Sequence, residues 1–410
     1  MNISKHYIKK QAPRNKTRGV TLVELMIAIT IGAIISIGIG SVYTSSKRSF
    51  KLQEEFSRLQ ENGRFAMNYI ARFVRGAGYS GCSSGVSNMI NDINSTDVEL
   101  LFQTGLEGYE AGGTAPNETV AALTEYPSVS ATAADFTTNT SSGEVAINAA
   151  TLTNLGVLPK SDILIARVAD SSGVEITTNN GSAEFTINWT GTEANACTQN
   201  SPSTDRISDI CDNDFLIVSD CEKSIAFQVS GITKLGGSPP LAKITHSKSG
   251  TPGNKSASWG AAGAKADPGF DFVEGDEIVR VTTKFFYVGK GVSGPALFMK
   301  DGTGTPTELV EGVENIQVLY GEDTDGTPDN IPDRYVPANQ VTDFGNVTAV
   351  RLTILLRSVK NLPWRTDAEK TYLLGGTTAA TATTVTSPSD KRLRRTMSMT
   401  IKLRNRAFSL

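Results

Sequence analysis

Residues 20–43 read VTLVELMIAITIGAIISIGIGSVY, a stretch in which Glu24 is the only ionisable group before Tyr43. The 19 uncharged positions from Leu25 to Tyr43 make one bilayer span if helical, at about 1.5 Å per residue. Upstream, Lys5, Lys9, Lys10, Arg14, Lys16 and Arg18 put +6 into the first 19 residues with no acid against them. Downstream, only Lys47, Arg48 and Lys51 follow closely. That asymmetry predicts a cytoplasmic N-terminus and a single pass, with the rest of the chain on the far side. A secretory signal cut near Ser41 is the competing reading. Its apolar region would run only about 7–15 residues, and a carboxylate near its start costs about 1–3 kcal/mol unless it finds a partner.

The helix does not stop at the membrane. No proline occurs between Arg14 and Ala115. Beyond the span, Leu52, Phe56, Leu59, Ala66, Ile70 and Phe73 recur in steps of four and three, with Gly63 filling the one gap. The pattern predicts one helix over about 21–75, divided into an apolar part (20–43) and an amphipathic part (44–78), with Gly76 and Gly78 ending it. Small residues in the stripe and the lack of a repeated e/g charge pattern argue against a free coiled coil. Its stripe should dock on a sheet.

From 79 to 410 the periodicity changes. Strands are expected at Ile163–Val168, Phe215–Val218, Ile225–Val229, Ile278–Tyr287, Ile316–Tyr320, Val347–Arg357 and Thr396–Leu403. The last alternates, with Met397, Met399, Ile401 and Leu403 on one face and Ser398, Thr400 and Lys402 on the other. Such runs predict an antiparallel sheet packed on the helix, an α+β fold. Residues 105–155, 231–270 and 374–390 are rich in Gly, Ala, Thr and Ser and read as long surface insertions or disordered segments.

Composition removes several function classes. The 39 basic and 42 acidic side chains of the 410 residues leave −3, and the +6 of the first 19 leaves −9 for the remainder. A nucleic-acid binder is not expected. With only His6 and His246 present, HExxH zinc sites and most histidine triads are excluded. GxSxG is absent and no acid, base and nucleophile set converges, so the chain does not read as an enzyme.

The basic leader, Gly19, VTLVE and the long apolar helix resemble the class III signal of type IV pilins and pseudopilins. In that family the prepilin peptidase cuts after the glycine and the new amine is methylated. The resemblance implies removal of residues 1–19, N-methylation of Val20, and Glu24 as the fifth residue of the mature chain. Phenylalanine is usual where Val20 stands. Physics gives Glu24 a role, because a carboxylate in hydrocarbon must be paired or neutralised, and the freed amine of a neighbouring subunit is a cation at hand. The local alternative is a capping box, Thr21-x-x-Glu24.

Farther on, ENGRFAMNYIARFVRGAGYSGC (61–82), FLIVSDCEKSIAFQV (ending at Val229), LVEGVENIQVLYGEDTDGTPDNIPDRYVP (from Leu309), NVTAVRLTILLRS (from Asn346) and RRTMSMTIKLRNR (ending at Arg406) resemble, in order, the minor pilin family PilW. The resemblance implies a pilin-like α+β fold and a minor pilin of the type IV pilus, not an enzyme. It would be made as a single-pass inner-membrane precursor with a periplasmic domain, then incorporated into the pilus. Implied partners are other minor pilins, the major pilin, the prepilin peptidase, the inner-membrane assembly platform, a tip adhesin, and lipid before assembly. A type II secretion pseudopilin and a non-polymerising membrane-anchored adhesin are the alternatives. Gly32, Gly38 and Gly40 would permit close helix approach.

Cys82, Cys197, Cys211 and Cys221 are an even set in an expected extracytoplasmic domain, so disulfides lead, with three pairings open. Because Cys82 and Cys221 both fall in PilW-like segments, the resemblance implies that they pair, leaving Cys197 with Cys211. In EDTDGTPDNIPDRY, Asp323, Asp325, Asp329 and Asp333 are hard oxygen ligands at spacings that suit calcium. The same segment reads equally as a solvated hairpin loop, since the EF-hand order is broken and two prolines intervene. His246 is expected at the surface or hydrogen-bonded at a strand end, and Lys391, Arg392, Arg394 and Arg395 on a solvated basic face.

Overall fold

The computed structural model describes residues 19–79, 81, 89–121, 131–138, 145–169, 173–179, 183–189, 197, 206–220, 223–257, 259, 272–325, 329–366 and 370–405. Residues 1–18 of the expected leader (1–19), and Cys82 and Cys221, lie outside the described residues. The chain divides into two compact units, 1–54 and 55–410, with the boundary inside one helix.

That helix runs Leu22–Gly76, as the proline-free pattern predicts. In the first unit every described side chain is exposed, including Ile27, Ile31, Ile34 and Ile37. The helix is long and apolar enough to cross a membrane. Its hydroxyls bond back to the preceding turn: Thr30 to the Met26 carbonyl (2.8 Å), Ser36 to Gly32 (2.8 Å) and Thr44 to Gly40 (3.0 Å). These three hydroxyls are therefore satisfied inside the helix, as hydrocarbon requires.

In the second unit the stripe docks. Leu59, Gly63, Ala66, Met67, Ile70, Ala71 and Val74 are buried. Burying a side chain the size of Leu, Met, Ile or Val stabilises by about 1.5–3 kcal/mol. The expectation fails for Leu52 and Phe56, which remain 40% and 43% exposed; Phe56 instead carries the Arg395 guanidinium over its ring at 5.1 Å. Gly63 is a matter of space: a Cβ there would run into the Met397 sulfur and lie 2.8 Å from Leu356 Cδ1.

The helix's partner is an antiparallel four-stranded sheet in the order Arg334–Val336, Val313–Glu322, Val347–Arg357, Arg394–Lys402. Ile401 and Leu403 enter the shared core, and Met397 and Met399 pack against it, as their alternation predicts. The core also takes Leu106, Leu164 and Phe286 from a 13-stranded sheet. The long strand Glu277–Gly291 runs through that larger sheet, pairing with Ile163–Ala169, Gly294–Asp301 and Phe215–Ser219. All seven expected strands form. Pairing is mostly antiparallel, but Met89–Asn91 with Ser224–Gln228, and Thr119–Ala121 with Thr383–Thr386, are parallel.

The helix ends at the glycines. Gly78 adopts φ +76°, the left-handed conformation that terminates helices. Two last-turn carbonyls are capped from the far end of the chain: Arg404 N–H donates to Arg75 (3.2 Å) and Asn405 Nδ2 to Gly76 (3.0 Å).

The sheet domain carries insertions, but where they are described the three segments are not irregular. Leu106–Ala111 is a strand with all six residues buried, and Ala149–Leu155 a helix capped by Asn148. Gly231–Leu235 and Leu241–Thr245 form a hairpin, and Thr383–Thr386 a strand. Leu106–Ala111 was hidden because a short strand covered on both faces loses the polar and apolar alternation; the others are only four to seven residues long and rich in Gly, Ala and Thr, too short for a period to show.

Candidate functional site

Gly19 and Val20 are exposed, and no heavy atom lies near a Cβ built at Gly19. Immediately after them Thr21 and Glu24 form the reciprocal capping pair. Thr21 N–H and Oγ1 each donate to Glu24 Oε2 at 3.0 Å, and Glu24 N–H donates to Thr21 Oγ1 at 3.2 Å. Each side chain thus satisfies an orphan amide of the first turn. Both bonds from Thr21 converge on Oε2, and the carboxylate stands on an exposed part of the helix.

Of the four loop acids, three converge. Asp323, Asp325 and Asp333 each place an oxygen within 4.8 Å of the others, a set of hard ligands that could hold calcium. Asp329 is outside this group and accepts from Ile331 N–H at 2.8 Å. The acids also build the loop: Asp333 Oδ2 accepts from the amides of Thr324 (2.6 Å) and Asp325 (2.9 Å), and Asp323 Oδ2 from Asn330 (3.1 Å). Desolvation, with the charges of Asp329, Asp325 and Asp333 adding, pushes the Asp323 carboxyl above its ordinary range. Beneath the loop Glu322, fully buried, accepts from Arg334 Nη2 (2.8 Å) and Thr342 N–H (2.8 Å).

Cys197 and Cys211 are disulfide-bonded across a Cα–Cα distance of 5.8 Å. Closing a loop of 14 residues contributes about 3 kcal/mol in the chain-entropy treatment.

Two expectations are overturned. His246 is 1% exposed and stacks on Trp259 with centroids 3.7 Å apart, inside a cluster with Phe185, Phe227 and Phe272. Burial pushes its pKa down to about 3, so the imidazole is neutral. Its ring companions come from separate segments, so no local pattern marks the burial; the residue does stand at a strand end, directly after Leu241–Thr245, with its N–H donating to the Ala183 carbonyl at 3.0 Å. Arg394 is likewise no surface cation. Its side chain is 2% exposed and forms forked bonds to Glu314 (2.7 and 3.0 Å) and to Asp390 (2.8 and 2.7 Å).

A buried acidic group also escaped the sequence. Glu107, Glu110 and Asp162 are 2–3% exposed. Glu107 pairs with Arg167 at 2.7 Å. The only available signal is two glutamates in a strand otherwise fit for a core.

Comparison with known families gives two matches. The family described as PilW, Type IV Pilus-assembly protein W, matches residues 285–405, and the prokaryotic N-terminal methylation motif matches residues 14–40. No curated protein and no solved structure matches the chain. The first match covers the second half of the strand Glu277–Gly291, the whole helix-docking sheet and the Asn405 cap; the second covers Gly19, Val20, Glu24 and most of the apolar segment. The matches point to a structural pilin, one that interacts with other pilus components and is anchored in a membrane, rather than to an enzyme. A pilin-type N-terminus joined to a C-terminal sheet that matches the PilW family makes the chain a type IV pilus pilin-like protein.

Proposed function

We propose that the chain is a minor pilin, cut by the prepilin peptidase between Gly19 and Val20 and methylated on Val20. Residues 20–43 hold it in the inner membrane, with its N-terminus cytoplasmic and its domain periplasmic. It then joins other minor pilins in a complex that primes the pilus and sits near its tip. The observation that carries the reading is a carboxylate, Glu24, at the head of a wholly exposed apolar helix directly after Gly19. An apolar surface of that length is stable only in lipid or against other helices. The test is the mature N-terminus. Mass spectrometry of the purified protein is expected to return N-methylated Val20, with other minor pilins co-purifying. An intact Met1 would mark a simple anchor and end the reading.

The same reading includes a second disulfide, Cys82–Cys221. In its support, Gly81 packs so close to the strand end at Ser219 that a Cβ on Gly81 would lie 2.6 Å from Ser219 Cβ. Such a long-range cross-link stabilises by about 4–5 kcal/mol. A non-reducing peptide map is expected to return Cys82 linked to Cys221 and Cys197 linked to Cys211. Recovery of Cys82 or Cys221 as an unmodified thiol would sink this pairing.

A further inference from the structure

The two sheets meet at one carboxylate. Asp162, just ahead of the strand Ile163–Ala169, accepts from Ala111 N–H through Oδ1 (3.0 Å) and from Val318 N–H through Oδ2 (2.8 Å). Ala111 belongs to the larger sheet and Val318 to the four-stranded sheet. The clasp is reinforced by Asp162 N–H to the Ile316 carbonyl (3.0 Å) and Ile316 N–H to Ser161 Oγ (2.9 Å). Two amide donors on two oxygens fit an ionised Asp162.

Glu110 lies against this clasp and has a different environment. Among the described residues it meets Thr114 Oγ1, 3.0 Å from Oε1, a hydroxyl that also lies 3.5 Å from Asp162 Oδ1. That hydroxyl has one proton, and its shortest contact is the Ala111 carbonyl at 2.7 Å. With the proton committed there, the contact to Glu110 is a bond only if Glu110 carries a proton and donates it to Thr114. The remaining charged and titratable neighbours do not favour a second anion. From the strand Leu106–Ala111 comes Glu107, already paired with Arg167 of the strand Ile163–Ala169. Glu118 adds negative charge from the following turn, while Lys160 Nζ is turned to the Gly112 carbonyl (2.5 Å). From the strand Val313–Glu322 comes the Tyr320 hydroxyl, buried and without a hydrogen-bond partner among the described residues. It lies where a side chain on Gly108 would be.

We propose that Glu110 and Asp162, linked through the Thr114 hydroxyl, carry one proton between them, held on Glu110, and that this proton sets the strength of the clasp between the two sheets. With Glu110 protonated, Asp162 is free to hold both amides. When Glu110 ionises, two buried carboxylates stand charged on either side of the Thr114 hydroxyl and the clasp loosens. Burial first, and then the charge of Asp162, push the Glu110 carboxyl far above its ordinary value. Burial raises Asp162 as well. The sign follows by linkage. A carboxyl whose folded pKa is raised contributes stability that is full below its unfolded pKa and is lost as pH rises toward its folded one. The clasp is therefore tight in acid and weak in alkali.

The test compares the full-length mature chain in detergent with Glu110→Gln, whose amide keeps a donor for Thr114 and cannot ionise. Between about pH 5 and pH 9 the melting temperature of the wild type is expected to fall by several degrees more than that of the variant, with the variant the more stable at the alkaline end. Parallel profiles would overturn the proposal. Hydrogen exchange on the wild type alone supplies a second reading. After correction for intrinsic rates, protection of the Ala111 and Val318 amides should drop as pH rises. Unchanged protection would overturn the proposal even if the variant failed to fold.

Discussion

Glu24→Gln is expected to fold, insert and be processed as the wild type does and yet to be excluded from pili. Glutamine keeps an oxygen for the Thr21 amide and hydroxyl, so the capping box seen at 3.0 Å survives. Glu24→Ala removes the cap as well, at a cost of about 0.5–2 kcal/mol in the first turn. If capping were the whole role of this carboxylate, glutamine would assemble and alanine would falter. In the proposed reading the charge itself pairs with the Val20 amine of a neighbouring subunit in a desolvated helix bundle. Both variants then leave that amine buried alone, a penalty of about 3–5 kcal/mol, or at least about a hundredfold in incorporation. The measurement is the amount of this chain in sheared pili relative to its amount in the membrane, with the processed mass as a control. Normal incorporation of Glu24→Gln would leave the acid with a local role only.

What could be read from the chain in advance follows from where each signal resides. The helix and the strand Arg394–Lys402 were legible because their partners lie along one face at a fixed period, and the burial of Ile70 and Ile401 bears this out. Periodicity marks which face can dock, not where the docking surface stops, so Leu52 and Phe56 were misjudged. The strand Leu106–Ala111 was hidden for the opposite reason. LEGYEA buries all six residues, and its two glutamates are tolerated through Arg167 in one case and a retained proton in the other. The basic run 391–395 looked solvated because the acid that takes Arg394 out of water, Glu314, lies 80 positions away in the chain. Long-range polar pairing leaves no local pattern, and neither does an aromatic shell such as the one around His246.

Arg394→Ala is accordingly expected to be among the most damaging single changes in the domain, although sequence alone places the residue on a solvated basic face. Four donor contacts run from its guanidinium to two carboxylates, and Glu314, its side chain 2% exposed, would keep among the described residues only the longer contact to Arg357 Nη1 at 3.8 Å. Removing one partner of a buried pair leaves an uncompensated charge, which costs about 3–5 kcal/mol. That is a large fraction of a typical folding free energy of about 5–15 kcal/mol. The strand Arg394–Lys402 is an edge of the sheet that receives the helix, so its loosening also exposes the face that Gly63 packs on. Arg394→Lys should recover only part of the loss, since an ammonium cannot fork to both carboxylates. Acid should act in the same direction. Burial works against the charge of Asp390, but the hydrogen bonds from Arg394 outweigh it and hold the carboxyl below its ordinary value. Its contribution is present above the unfolded pKa and is lost as pH falls through the folded one, opposite in sign to that of Glu110. Urea unfolding of the full chain in detergent at neutral pH would measure the effect. A loss below about 1 kcal/mol, the scale of an exposed pair, would mean that the network adds little and that the helix–sheet core alone holds this edge in place.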